Sequence, residues 1–158
     1  MKTLYESILD DEEVLMSNVK DTINDPFAAI VSAIDSGVDE SELVKFITGS
    51  ALDKFVDDEL YLNSKDFYWD VMTFNDSIVS ISLCKNDSDI LPIVVRYRRK
   101  SRILNFEIHK FSSWGVYRDI FEYDKYKKIL SNIRKRGFKK SNWSLDKTGN
   151  FNVYNKKV

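Results

Sequence analysis

The chain has 158 residues, of which 43% are hydrophobic and 13% aromatic, with only two prolines and five glycines. These values exclude disordered, collagen-like and linker-like sequences, and they predict one domain spanning residues 1–158. The net charge of −1 combines two opposite halves: residues 1–91 carry 20 acidic and 6 basic residues, whereas residues 92–158 carry 5 acidic and 18 basic residues. Such polarity predicts charged partners and does not bear on the fold.

Residues 16–60 have the spacing of short amphipathic helices. Leu15, Val19 and Ile23 recur every four residues behind an acidic stretch suited to a helix start, which predicts a first helix. Proline at the first turn, acidic first turns and glycine stops predict three further helices, over residues 26–37, 39–49 and 52–56.

From residue 66 the spacing changes to that of strands, so residues 66–158 form a strand-rich, basic part. Aromatic and β-branched runs bounded by polar turns predict four strands, over residues 67–74, 79–84, 93–99 and 103–110. In the last of these, apolar side chains alternate with Asn105, Glu107 and His109. This alternation predicts an antiparallel sheet with one face open to solvent.

A helix and a hairpin are predicted to complete the chain. The helix is expected from Asp119 to Arg136, with Tyr123 on its apolar side and Gly137 as its stop. The hairpin is expected to join residues 138–145 to the last strand, at 151–155. Helices that are separate from antiparallel strands define the α+β class.

No residue pattern predicts a catalytic or metal site. His109 is the only histidine and shares a strand face with Glu107, but no nucleophile accompanies the pair, so we interpret it as a surface histidine. Cys84 is the only cysteine and is interpreted as a small buried strand residue in a reducing compartment. We therefore predict no metal and no cofactor, and we favour a non-enzymatic protein.

Ten basic residues are the candidates for binding nucleic acid or an acidic partner. They fall in the third hairpin and around the last helix, namely Arg96, Arg98, Arg99, Lys100, Arg102, Arg134, Lys135, Arg136, Lys139 and Lys140. Cationic side chains neutralise phosphates, and neighbouring aromatic residues can stack on bases. Two alternatives remain open: opposite charges could dock within the domain or between copies, or the basic residues could simply be solvated.

The first 15 residues form a separate candidate, a docking peptide. Leu4, Tyr5, Ile8 and Leu9 would lie on one face of a helix, ahead of the acidic residues 10–13. The alternative is that Leu4 and Ile8 pack on the core of the protein itself. The segment MKTLYESILDDEEVL resembles the N-terminus of uncharacterised proteins from crAss-like Bacteroides phages. The resemblance covers about 15 to 25 of the 158 residues and implies a phage context; it implies no fold and no catalytic residue.

Together these features predict a non-enzymatic interaction or virion-associated protein of a Bacteroides phage. Its expected partner is a phage or host protein, or a second copy held by opposite charges. No apolar run approaches the roughly 20 residues of a membrane span, so we expect the host cytoplasm or the virion and no membrane partner. A nucleic-acid-binding module that uses the basic half is the alternative, and an unrecognised enzyme is a further one.

Overall fold

The computed structural model describes residues 25–47, 51–74, 77–112, 117, 119–145 and 147–158. Its elements in chain order are helices α1 (Pro26–Asp35), α2 (Glu40–Ile47) and α3 (Ala51–Glu59), a 3-10 turn (Ser64–Asp66), strands β1 (Phe67–Phe74), β2 (Ile78–Lys85), β3 (Ile93–Arg98) and β4 (Ile103–His109), helix α4 (Tyr123–Lys135), and strands β5 (Lys139–Ser141) and β6 (Phe151–Lys157). The predicted α+β class and the C-terminal strand pair are confirmed. The predicted first helix and the docking peptide lie outside the described residues.

Local capping sets the first two described helices. The Asp25 carboxylate accepts the N–H of Ala28 at 3.2 Å, and Pro26 occupies the first turn of α1, where its missing N–H is not needed. Asp39 plays the same part for α2, because its carboxylate accepts the N–H of Glu42 at 2.8 Å. The hydrogen bond from the Glu42 backbone and a side-chain hydrogen bond from the Ser41 hydroxyl both lower the pKa of Asp39.

The six strands form one antiparallel sheet in the order β1-β2-β3-β4-β6-β5. The first four strands are neighbours in chain order, as expected for a meander joined by short turns. Strand β6 lies between β4 and β5, so the C-terminal hairpin joins the sheet through its second strand.

The core lies between the helices and one face of this sheet. At its centre four phenylalanines, one each from α1, α3 and β4 and one preceding β5, meet edge to face. Ring centroids are 5.1 Å apart for Phe27–Phe55 and 5.3 Å apart for Phe27–Phe138, and Phe106 contacts all three of the other rings. All four are buried. A single aromatic cluster therefore ties the helices of the acidic half to the strands of the basic half.

The last helix begins four residues later than predicted. Glu122 is extended, with φ −81° and ψ 139°, and Phe121 is buried in the core, so helical geometry starts only at Tyr123. The prediction that Tyr123 lies on the apolar side is wrong: Tyr123 is 56% exposed and Tyr126 is buried instead. The predicted stop is confirmed, since Gly137 adopts φ +97° directly after the helix.

The expectation that the second face of the sheet is open to solvent is wrong for its middle strands. Ser80, Asn105 and Glu107 are buried there although their side chains point away from the helices. The chain that follows β5 covers this face, where Ser144 is buried and its hydroxyl donates to the Glu107 carboxylate. Among the described helices, none is both long and apolar enough to cross a membrane.

Candidate interaction surfaces

Arg96 and Arg98 lie on the covered face of the sheet. The Arg96 guanidinium pairs with Glu107, and its Nε donates to the Ser80 hydroxyl at 3.2 Å. The side chains of Arg96 and Glu107 are only 11% and 1% exposed. Arg98 lies over the Trp143 ring, 4.0 Å from its centroid, and burial lowers its pKa. Arg98 therefore contacts the segment after β5 directly, through Trp143. Arg96 is linked to the same segment through Glu107, which accepts from Ser144.

Arg102 and Arg136 join the basic half of the chain to the acidic half. Arg102 Nη1 lies 3.1 Å from a carboxylate oxygen of Asp35 at the end of α1. Arg136 forms a two-point ion pair with Glu59 of α3, in which Nε donates to Oε1 at 2.8 Å. The Arg136 guanidinium also lies 5.2 Å from the Phe55 ring centroid. Part of the charge polarity is thus neutralised inside the molecule, as one of the open alternatives predicted.

The other six basic candidates are exposed and lie in two separate places. Arg99 and Lys100 occupy the turn between β3 and β4. The other four lie around the end of α4 and along β5, namely Arg134, Lys135, Lys139 and Lys140. The ten residues grouped by sequence therefore do not form one surface.

His109 lies at the end of β4 and is partly exposed, whereas Cys84 is less buried than the sequence predicted. The His109 ring stacks on Tyr117, with centroids 3.5 Å apart and planes 6° apart, and its Nδ1 lies 2.9 Å from the Lys110 carbonyl oxygen. Glu107 is held by Arg96 and Ser144 instead of pairing with His109. Cys84 is partly buried, and burial raises the pKa of its thiol, with a smaller contribution from Asp70. The described part of the chain contains no cluster of three or more His, Cys, Asp or Glu residues suited to a metal.

Among the described strands, β1 is at one edge of the sheet, and helix α2 packs against part of it. The Thr73 N–H points away from β2 and donates to the Glu40 carboxylate at 3.0 Å. Since backbone groups alternate sides along a strand, those of Phe67, Trp69 and Val71 point to the same outer side. On the face away from the helices, Tyr68 and Met72 are each 51% exposed and flank the exposed Asp70.

The strand order places strands from the acidic half of the sequence at one edge of the sheet and strands from the basic half at the other edge. On and just before β1 the exposed charged side chains are Asp70, Asp66 and the basic Lys65, and Asp89 is exposed in the turn between β2 and β3. On β5 they are Lys139 and Lys140, and Lys157 is exposed at the end of the neighbouring strand β6. Five strand spacings of about 4.8 Å separate β1 from β5, so the two edges lie about 24 Å apart. This distance exceeds the screening length of about 8 Å at physiological ionic strength.

Cavities lie beside both edges of the sheet. One of about 300 Å³ lies between α2 and the β1 edge and is lined by apolar residues that include Leu43, Val71 and Val79. Another, of about 230 Å³, lies beside β5 and the start of β6 and includes Lys110 and Lys140. Lys110 and Asn152, which both line this cavity, were not among the sequence candidates, because neither belongs to a cluster of basic residues in the sequence.

Comparison of the chain with protein-family models, with curated proteins and with solved structures finds no match in any of the three.

Proposed function

We propose that this chain is a non-enzymatic interaction protein whose copies associate head to tail, with the acidic β1 edge of one sheet meeting the basic β5 edge of the next. The observation that carries the proposal is the presence of opposite charges at opposite edges of one sheet. The resemblance of residues 1–15 to phage proteins supports a phage-encoded protein that acts in a Bacteroides cytoplasm or in a virion.

The strand directions suit this arrangement. Because the six strands alternate in direction, β5 runs antiparallel to β1. A second copy in the same orientation would therefore bring its β1 against β5 as an antiparallel neighbour. Cross-strand register places Asp70 and Lys139 on the same face of the sheet, the one away from the helices. Their opposite charges would meet across the new junction.

The strength of such a junction would depend on charge. Strand β5 has only three residues, so few backbone hydrogen bonds can form across the contact. Attraction between exposed charges weakens as the screening length falls from about 10 Å at 0.1 M salt to about 3 Å at 1 M. A head-to-tail contact uses two different patches, so its growth is open-ended unless a rotation closes it into a ring.

Sedimentation velocity over a range of protein concentrations tests the proposal. The wild-type chain should form oligomers at about 0.1 M salt and dissociate at about 1 M. The charge reversals Asp70→Lys and Lys139→Asp should each abolish association, and the double variant with both reversals should restore it. Asp58→Lys, an exposed change of equal charge on α3, is the matched control and should associate as the wild type does. A wild type that stays monomeric at every salt concentration refutes the proposal.

A second function, nucleic-acid binding, is favoured by the exposed cations at the end of α4 and on β5. Fluorescence anisotropy with a labelled single-stranded oligonucleotide tests it, and affinity should fall steeply as salt rises. The variant Lys135→Ala/Lys139→Ala should bind more weakly than the wild type. It is a better test than changing Arg96, whose ion pair with Glu107 is buried. No detectable binding at low salt would remove this alternative.

A further inference from the structure

The cavity beside β5 is polar and carries positive charge. It opens where the chain leaves β4 and is bounded by β5, by the start of β6 and by the loop between them. Its described lining carries two lysines, two serines and two asparagines, with no carboxylate among them. Lys110, Lys140, Ser141, Asn142 and Asn152 supply nitrogen or hydroxyl donors, and Phe151 supplies an aromatic wall.

A chain of hydrogen bonds fixes the ammonium group of Lys140. Its Nζ donates to Asn152 Oδ1 at 3.0 Å, and Asn152 Nδ2 donates to the Tyr126 hydroxyl at 3.0 Å. The Tyr126 hydroxyl in turn donates to the His109 carbonyl oxygen at 2.8 Å. Burial raises the pKa of Tyr126 to about 12, so the phenol keeps this proton at neutral pH. The Tyr126 hydroxyl has one proton, which it donates to the His109 carbonyl oxygen, so it must accept a hydrogen bond from the Asn152 amide nitrogen. This orientation of the Asn152 amide leaves its Oδ1 facing Lys140.

Lys110 and Lys140 line this cavity, and Arg134 lies close to Lys140: their cationic groups are 5.8 Å (Arg134) and 5.2 Å (Lys140) from the centroid of the same Tyr154 ring. The pKa of Lys140 is lowered by burial first, and then by the nearby charges of Lys110 and Arg134. In the part of the chain that the structure describes, no carboxylate forms an ion pair with any of these three side chains. Bringing like charges together is unfavourable, and a bound anion would relieve the repulsion.

We propose that this cavity binds a phosphate group, with Lys110 and Lys140 as charged ligands. Phosphate oxygens are strong acceptors that carry negative charge, and they match the ammonium, hydroxyl and amide donors that line the cavity. The Phe151 ring gives the organic part of a phosphate ester an apolar surface to contact. The group can come from a small phosphate ester or from the backbone of a nucleic-acid strand. This site does not depend on head-to-tail association.

Isothermal titration calorimetry at low salt tests the site, at a protein concentration where sedimentation shows monomers. The probes are inorganic phosphate, adenosine 5′-monophosphate and a short oligothymidylate. Each charge-assisted contact contributes about 1.5 kcal/mol or more, so Lys110→Gln/Lys140→Gln should weaken binding by about a hundredfold. Lys45→Gln/Lys65→Gln removes the same charge at exposed positions elsewhere and should bind as the wild type does.

A near-isosteric variant separates the role of Asn152 from a general charge effect. Asn152→Asp places a carboxylate against Lys140 and should abolish binding of all three probes while leaving the circular dichroism spectrum unchanged. Similar affinity for phosphate and the nucleotide assigns the site to small phosphate esters. Tighter, salt-sensitive binding of oligothymidylate that is lost in Lys110→Gln/Lys140→Gln assigns it to a nucleic-acid backbone. Failure of all three probes to bind the wild type, or equal binding by Lys110→Gln/Lys140→Gln and its control, overturns the proposal.

Discussion

Removing the Glu107 carboxylate should destabilise the protein more than any surface substitution in the same sheet. This side chain is fully buried on β4, where it pairs with Arg96 and accepts from the Ser144 hydroxyl. In Glu107→Ala the Arg96 charge stays in the interior without its carboxylate partner, and the segment after β5 loses one of its attachments to the sheet.

The expected magnitude follows from the burial of the pair. Breaking a buried ion pair by removing one partner lowers the free energy of unfolding by about 3–5 kcal/mol. The total free energy of unfolding of a natural domain is about 5–15 kcal/mol, so this loss is a large fraction of the stability. With a urea dependence of about 2 kcal/mol per molar, the midpoint of urea unfolding should fall by about 2 M.

A double-mutant cycle separates the ion pair from simple loss of packing. Arg96→Met and Glu107→Leu should each be strongly destabilising, whereas the double variant should unfold near the wild-type midpoint, because no unpaired charge remains. Circular dichroism in urea measures all four proteins. A midpoint that falls by less than about 0.5 M in Glu107→Ala, or single effects that add in the double variant, would refute this reasoning.

Three smaller predictions concern the core, a helix cap and the cysteine. Phe27→Ala removes a ring from the centre of the aromatic cluster and should lower the free energy of unfolding by about 3–5 kcal/mol, measured in urea; a loss below about 1 kcal/mol would mean that the cluster repacks. Asp25→Ala removes the cap of α1 and should lower the melting temperature by about 2–4 °C in calorimetry, with Asp25→Asn close to wild type; equal losses in both would contradict a capping role. Because burial and Asp70 raise the pKa of Cys84, iodoacetamide at pH 8 should alkylate its thiol more slowly than it alkylates a free thiol. Alkylation should be faster in Asp70→Asn than in the wild type, and an unchanged rate in that variant would count against the Asp70 contribution.

Strand positions were predictable because their signals are local. The run Phe67–Phe74 combines aromatic and β-branched residues with polar turns on both sides, and the observed strand has the bounds predicted for it. The pairing of β6 with β4 was not predicted, because the two strands are far apart in sequence and no residue in either one specifies its partner. The start of α4 was missed because Asp119 has the character of a helix cap, whereas the burial of Phe121 delays the helix.

The candidate surfaces were predictable as a set of charges but not as an arrangement. Register places Arg96 opposite Asn105, so Glu107 lies two residues further along the neighbouring strand. That proximity exists only once the hairpin has formed, and covering of the pair depends on Ser144 from a later segment. The β5 cavity likewise combines Lys110, Lys140 and Asn152 from three parts of the chain, each of which has an unremarkable sequence context.

The position of β6 between β4 and β5 also constrains how the protein is made. During synthesis β5 leaves the ribosome before β6, yet β6 is the only strand that β5 pairs with in the described sheet. The first four strands can pair in the order in which they are translated. Until β6 arrives, the outer side of β4 has no neighbour, so a nascent chain stalled at this stage would expose a strand able to bind chaperones or other nascent chains.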